Sequence, residues 1–560
     1  MRNEDHMNSQ TASVTPPNLS DNESASKSPM KKKKKFSILR TIGMIAVAVL
    51  VIGGVFNVIQ QAAIKKAQDA TNNTLPASNV RPETAGVITI GIEYSFPGQE
   101  AAFKDAGISG VKFYPENYTS WEKMQSSATA KINFSATDDM VKRYQNNGMT
   151  NITMGLRYDA SWAKQSNGLP QAKYQTAYET WLSKVVERYD GDGVDDMVGL
   201  RAPITTYEIG TEFSTYVPAS GADYAPFLAK SYQIAHQAFS NVKVAHAAFL
   251  TTNIFKNNPS QTQYETAFNS NIIAGSGEKR YSDITAVLDH PEAFDILNLH
   301  ALGDPTEIDR MIKWANYEMQ RRGYSKPIVI SDTSTNPYIS FGQATNCTSL
   351  VKGVVIYPAT ESDRCRLATY FTNLVNNDAT ATAFVRQISS EDVAKKIILA
   401  AANNVTRINA AFTEDIAILK KPASAGAGNA AWGGAIENTA NFLTNVRTVK
   451  SKLPGFYALQ QTQTKLKQYD SIQRVTTSDD RVRIYEVKNG ATTSWIAWFE
   501  PGKIYLPGET VPTMTVSLPS VTGTVNIESL ITKVGQTSPD KTTGDATKLT
   551  LTPTPVFVTK

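Results

Sequence analysis

Two short stretches of this chain place a carboxylate where a buried strand would end. Ile204-Thr205-Thr206-Tyr207-Glu208-Ile209-Gly210-Thr211-Glu212-Phe213 runs from an apolar, β-branched segment through a glycine to Glu212. Lys326-Pro327-Ile328-Val329-Ile330-Ser331-Asp332 has the same grammar and ends on Asp332. Two carboxylates at the ends of two buried strands are the minimum equipment for cleaving a glycosidic bond. One protonates the leaving oxygen, and the other attacks the anomeric carbon or activates a water. A carboxyl in a partly apolar cleft is expected to titrate high, which would keep a proton on Glu212 near neutral pH. Glu414 is a further candidate for the second carboxylate.

Other chemistries find less support. The five histidines, His6, His236, His246, His290 and His300, show no metal-ligand spacing, so no zinc site is expected. Asp190, Asp192, Asp195 and Asp196 with two interleaved glycines resemble a calcium loop, but its twelfth position is Arg201 rather than a bidentate Glu. A tight acidic turn is therefore preferred to calcium there, and no cofactor is expected. No G-x-S-x-G elbow is present for a serine hydrolase. The net charge is +5, of which Lys31 to Lys35 alone supply five, and the near-neutral remainder carries no motif for nucleic acid. The two cysteines, Cys347 and Cys365, are read as a loop-stapling disulfide in an exported protein, or else as two unrelated thiols.

The elements that must hold the carboxylates follow in order. Residues 1–40 are polar and lysine-rich and are expected to be a disordered cytoplasmic tail. Residues 41–60 contain an uncharged apolar run from 42 to 59, long enough for a single transmembrane helix. The excess of Lys and Arg before it puts the N-terminus in the cytoplasm and the rest outside, as an uncleaved signal anchor in the cell membrane. Residues 61–85 read as a linker.

From residue 86 to 470 the pattern alternates strand and helix. Strands are expected at 87–93, 110–114, 151–157, 204–212, 242–249, 294–300, 327–331 and 406–412, with the stretch 442–469 helical. Eight strands alternating with helices imply an α/β fold, a closed (β/α)8 barrel. No glycine-rich phosphate loop follows the first strand, which argues against an open dinucleotide-binding sheet. Residues 471–560 turn to short alternating segments and read as a small β-sandwich.

In this order the motifs resemble the clan of retaining glycoside hydrolases built on (β/α)8 barrels and followed by a β-domain. In that clan strand four ends in a motif like W-E-I-G-N-E-P and strand seven in one like K-P-(hydrophobic)3-T-E. The counterparts here are Tyr207 to Phe213 and Lys326 to Asp332, and Asn298-Leu299-His300 is similar to the strand-six signature. Pro454 to Leu459 is similar to the last barrel helix, and Leu549 to Val558 to the final β-domain strand. The resemblance implies Glu212 as acid/base and Asp332 as nucleophile. It also implies that Thr211, His300, Arg157, Tyr114, Trp162 and Trp432 contact a carbohydrate. Two positions depart from the pattern: Thr211 replaces an Asn that grips the sugar 2-hydroxyl, and Asp332 replaces a Glu. The shortened carboxylate leaves two expectations open. One is a membrane-anchored extracytoplasmic glycosidase; the other is a barrel that binds envelope glycans without cutting them.

Overall fold

The structure, a computed structural model, describes residues 86–560 apart from 94, 114, 271–278, 334–360, 412, 416–431, 442 and 504. Eight parallel strands form the first layer: β1 Thr89–Ile92, β2 Gly110–Phe113, β3 Asn151–Leu156, β4 Thr206–Ile209, β5 Lys243–His246, β6 Leu297–Ala301, β7 Ile328–Thr333 and β8 Arg407–Ala410. Each pairs in parallel with its sequence neighbour except β5 with β6, and β1 pairs with β8. Between β5 and β6 the ladder is irregular, because β5 breaks at Ala247 and Ala248 and resumes at Phe249–Leu250 beside β6. A bridge from Ala245 to Ile296 closes the ring there.

His246 stitches that seam. Its Nε2 accepts the Asn298 amide at 3.0 Å, and its Nδ1 donates to the Ala247 carbonyl at 2.8 Å. Burial pushes the imidazole down to about 4, so it is neutral, as one donor and one acceptor require.

The helices α1 Glu100–Asp105, α2 Ser135–Asn146, α3 Gln175–Glu187, α4 Gly221–Ala238, α5 Tyr281–Leu288, α6 Glu307–Gln320, α7 Ala379–Ala402 and α8 Pro454–Lys465 each follow the strand of the same number. Their sequence logic is plain in α6, where Ile308, Met311, Ile312, Ala315 and Met319 recur at helical spacing and are buried. Helix α4 starts where the Ser220 hydroxyl accepts the Asp223 amide, and α8 starts on Pro454 in its first turn.

After α8, a six-stranded sheet and a two-stranded sheet enclose a second core around Ile484, Trp495, Ala497, Leu549 and Val558. Side chains from this β-region, Tyr485, Trp498 and Phe557 among them, also join the main core. The expected helix over 442–469 is corrected in its first half. Ile436–Ala440 and Arg447–Lys452 form an antiparallel hairpin, and the helix begins only at Pro454. Arg447-Thr448-Val449-Lys450-Ser451 alternates with period two, and a proline favours a helix start over a helix interior.

Among the described residues no helix is long and apolar enough to cross a membrane. The apolar run at 42–59 lies outside them, as do Tyr114, Cys347 and the side chain of Cys365.

One backbone position decides how Glu212 is delivered. Gly210 ends β4 at φ +95°, and its amide donates to the Leu156 carbonyl at 2.8 Å. A Cβ there would lie 3.1 Å from the Ala247 Cβ and 3.3 Å from a Val217 methyl. Gly210→Ala is expected to destabilise the chain by more than about 1 kcal/mol, since both conformation and space are wrong. The midpoint of urea unfolding checks this.

Candidate active site

Parallel strands present their last residues at one mouth of the barrel, where Glu93, Arg157, Glu212, His300 and Asp332 are placed. Beneath them Lys112 of β2 crosses the interior with no exposed surface. Its ammonium lies 3.0 Å from Glu208 Oε2, 3.3 Å from Glu93 Oε1, 3.4 Å from His300 Nε2 and 3.3 Å from Ser331 Oγ. One lysine thus ties together β1, β2, β4, β6 and β7. Burial alone would discharge it, but Glu208, Glu93 and Asp332 reverse that and hold it firmly charged.

Lys112 also sets the histidine. An ammonium offers only donors, so His300 Nε2 accepts and the ring proton sits on Nδ1. That Nδ1–H donates to Glu212 Oε2 at 2.9 Å, and Asp332 Oδ2 is 4.0 Å away. A register shift between Leu299 and His300 sets His300 directly across from Asp332. The pair itself is close: an oxygen of Glu212 and an oxygen of Asp332 lie within 4.8 Å of each other.

Glu212, His300 and Asp332 form one of the two described clusters whose atoms are near enough to share a metal. The other is Glu187, Asp190 and Asp192, in the acidic loop before β4. In that loop Asp190 and Asp192 accept the Asp192 and Val194 amides, Asp196 accepts those of Gly191 and Gly193, and Asp195 faces Lys184. These are the bonds of an acidic turn.

The expectation for the Glu212 proton is corrected. Burial pushes the carboxyl up, but the hydrogen bond and electrostatic pull of His300, the Thr215 hydroxyl and the Lys112 charge together outweigh it. Glu212 ends below its ordinary value. Asp332 goes the other way: burial pushes it up to about 6, against a hydrogen bond with Glu93 and the Lys112 charge.

The flanking candidates divide. Arg157 is held by Asp159 at 2.6 Å and Glu116 at 3.1 Å, and its guanidinium lies 5.1 Å from the Tyr216 ring centre. Tyr216, not singled out by its sequence, is 37% exposed and close enough to feel the charges of Glu212 and Asp332. Thr211 is buried beside Glu212. Trp162 packs edge-on against Trp121 and Tyr174 and donates to the Gln125 carbonyl, which engages its ring in loop packing. Trp432 is buried, and its carbonyl accepts from Arg386, the partner of Asp415. Glu414 is clamped by Arg447 at 2.7 Å and Asn438 at 2.8 Å in a separate three-stranded sheet, so it is no substitute for Asp332.

Sequence reasoning missed Glu93 and Lys112. The one available signal was a charged residue inside or just after an otherwise apolar strand, at Gly110-Val111-Lys112-Phe113 and Ile90-Gly91-Ile92-Glu93.

No family model matches this chain, and no curated protein matches it. Solved structures with a similar outline are catalogued among glycan-cleaving enzymes. A glucosidase from Croceicoccus marinus is 12% identical, with 85% of this chain and 100% of that chain covered at a TM-score of 0.45. A 4-O-α-L-rhamnosyl-β-D-glucuronidase from Fusarium oxysporum is 10% identical, with 87% and 99% covered at 0.46. A family 30 subfamily 8 xylanase from Clostridium acetobutylicum is 11% identical, with 85% and 97% covered at 0.42. Likeness at this level carries no argument about activity, so the chemistry has to come from this chain's own residues.

Proposed function

We propose that this chain is a glycoside hydrolase acting on O-glycosidic bonds through Glu212 and Asp332. The observation that carries this is the approach of the two carboxylates to within 4.8 Å at the strand-end mouth of the barrel. Retaining enzymes hold their carboxyl groups about 5–5.5 Å apart and inverting enzymes about 6.5–9.5 Å, and a nearest-oxygen approach of this order is compatible with direct attack by Asp332. Glu212 protonates the leaving oxygen, and Asp332 attacks the anomeric carbon. Arg157 and Tyr216 flank the cleft as carbohydrate contacts, with Thr211 and His300 beside Glu212. The run at 42–59 anchors the chain in the cell membrane, with the barrel on the extracytoplasmic side.

The electrostatics make the productive state a minority. Asp332 must be ionised, which requires a pH above about 6. Glu212 must be protonated, yet its contacts hold it ionised. Aryl glycosides with good leaving groups need little protonation and escape the second condition. Turnover of a nitrophenyl glycoside is therefore expected to rise as pH increases through about 6, while alkyl glycosides react far more slowly. Release from a broad panel of nitrophenyl glycosides tests this.

A specific observation supports a second assignment, a barrel that binds envelope glycans without cutting them: the candidate acid is held ionised. Calorimetric binding of a glycan with no release from any panel member would establish it.

Asp332→Glu separates an adapted site from a lapsed one. Oxygens of the two carboxylates already approach within 4.8 Å, and an added methylene would push into Glu93 or Glu212. A displacement of about 1 Å can cost about 10²-fold in rate, so a loss of that order in kcat/KM is expected. A gain would show that Asp332 is a degraded glutamate.

A further inference from the structure

Glu93 is a carboxylate that the paired mechanism does not call on. It follows β1, is 4% exposed, and its amide donates to the Ala410 carbonyl at 3.1 Å, so β8 fixes its backbone. Oε1 lies 3.3 Å from the Lys112 ammonium. Oε2 is buried without an N–H or hydroxyl donor, and so is Asp332 Oδ1. The two carboxyl groups are within hydrogen-bonding reach of each other. Two carboxylates cannot make that contact, whereas a carboxylic acid and a carboxylate can.

The charge balance demands the same proton. Glu93 is faced by Lys112 from β2, His300 from β6 and Asp332 from β7; Lys112 in turn contacts Glu208 of β4 and Ser331 of β7, and His300 contacts Glu212 just after β4. Lys112 is a cation in contact with this group, and His300 faces it at 3.4 Å. Four carboxylates crowd around Lys112 and His300, more than these two groups can balance, and full ionisation of all four is strongly disfavoured.

We infer that Glu93 is a neutral carboxylic acid at neutral pH that donates its proton to Asp332 Oδ1. It thereby acts as a positioning residue that turns Asp332 Oδ2 toward Glu212 and His300. Burial pushes the Glu93 carboxyl well above the usual carboxylate range, and the Asp332 charge adds to this against Lys112 and His300. Asp332 rises less, so it is the ionised member of the pair above about 6. The contact restrains a side chain one methylene shorter than its counterpart in the resembling clan. The catalytic consequence rests on the proposed glycosidase activity; the position of the proton does not.

Infrared difference spectra of the full chain at pH 7, without substrate, test the proton directly. Wild type should show the carbonyl stretch of a protonated carboxylic acid that disappears in Glu93→Gln. Persistence of an identical band in Glu93→Gln would place the proton elsewhere and overturn the inference, whether or not any glycoside is cleaved. On an aryl glycoside, Glu93→Gln keeps an N–H donor and should leave the acid limb of kcat/KM near about 6. Glu93→Leu removes the donor and should move that limb upward by about one pH unit or more. Equal limbs in the two variants would refute the donor role. If Glu93→Leu does not fold, the spectra of the isosteric variant decide alone.

Discussion

Glu212→Gln is expected to lower kcat/KM on alkyl glycosides by about 10²–10⁴-fold, the usual contribution of a positioned general acid. The amide keeps the size of the side chain, and its nitrogen and oxygen can still meet Thr215 and His300, so the fold should survive. It removes the proton that Glu212 would deliver to the leaving oxygen. On nitrophenyl glycosides the first chemical step should be largely spared, and the loss should shift to hydrolysis of the glycosyl-enzyme, where a base is needed. A small anion such as azide, which needs no base to attack, should restore turnover on those substrates and give the glycosyl azide with retained configuration. Full activity of Glu212→Gln on alkyl glycosides would remove Glu212 from the mechanism. An inverted product would remove the retaining assignment, whatever the rate.

Lys112→Met should give the largest loss of stability. The substitution keeps the apolar stem and deletes the positive charge that Glu208 and Glu93 share. Removing one partner of a buried ion pair typically destabilises by about 3–5 kcal/mol, because the other charge is left buried and uncompensated. The pH dependence follows from the sign of the resulting shift. Without Lys112, Glu93 and Asp332, whose folded-state values are already raised, titrate still higher than in the unfolded chain. A raised folded value contributes stability that is full below the unfolded value and lost as pH rises through the folded one. The deficit of Lys112→Met should therefore be larger at pH 7 than at pH 5, read from urea unfolding at both. Adding Glu208→Gln should recover part of it, giving a coupling energy between the two positions. A deficit independent of pH would mean that Lys112 acts by packing alone.

Much of this architecture is legible in the chain itself. A buried parallel strand must be apolar or β-branched on both faces, and a helix that covers it must repeat apolar residues at helical spacing. Both patterns are local, so the eight strand–helix units can be counted from residue 86 onward. The strand-four and strand-seven stretches could also be found, because a glycine or a polar turn just after an apolar run marks where a barrel strand delivers its last side chain. The hairpin at 436–452 was harder to see. Its strands are short and half-exposed, and polar alternation beside a helix start is weak evidence for either element.

The sequence by itself determined which carboxylates stand at strand ends and that these ends share one mouth. Only the tertiary structure decided where the protons lie. A pKa depends on neighbours through space, and the neighbours of Glu212 and Asp332 come from strands far away in the chain: Lys112, Glu93 and His300. The same holds for the flanking residues, where folding clamps Glu414 with Arg447, buries Trp432, and sets Tyr216 over Arg157. Charge, partner and accessibility are properties of the packed barrel, and no single stretch of sequence carries them.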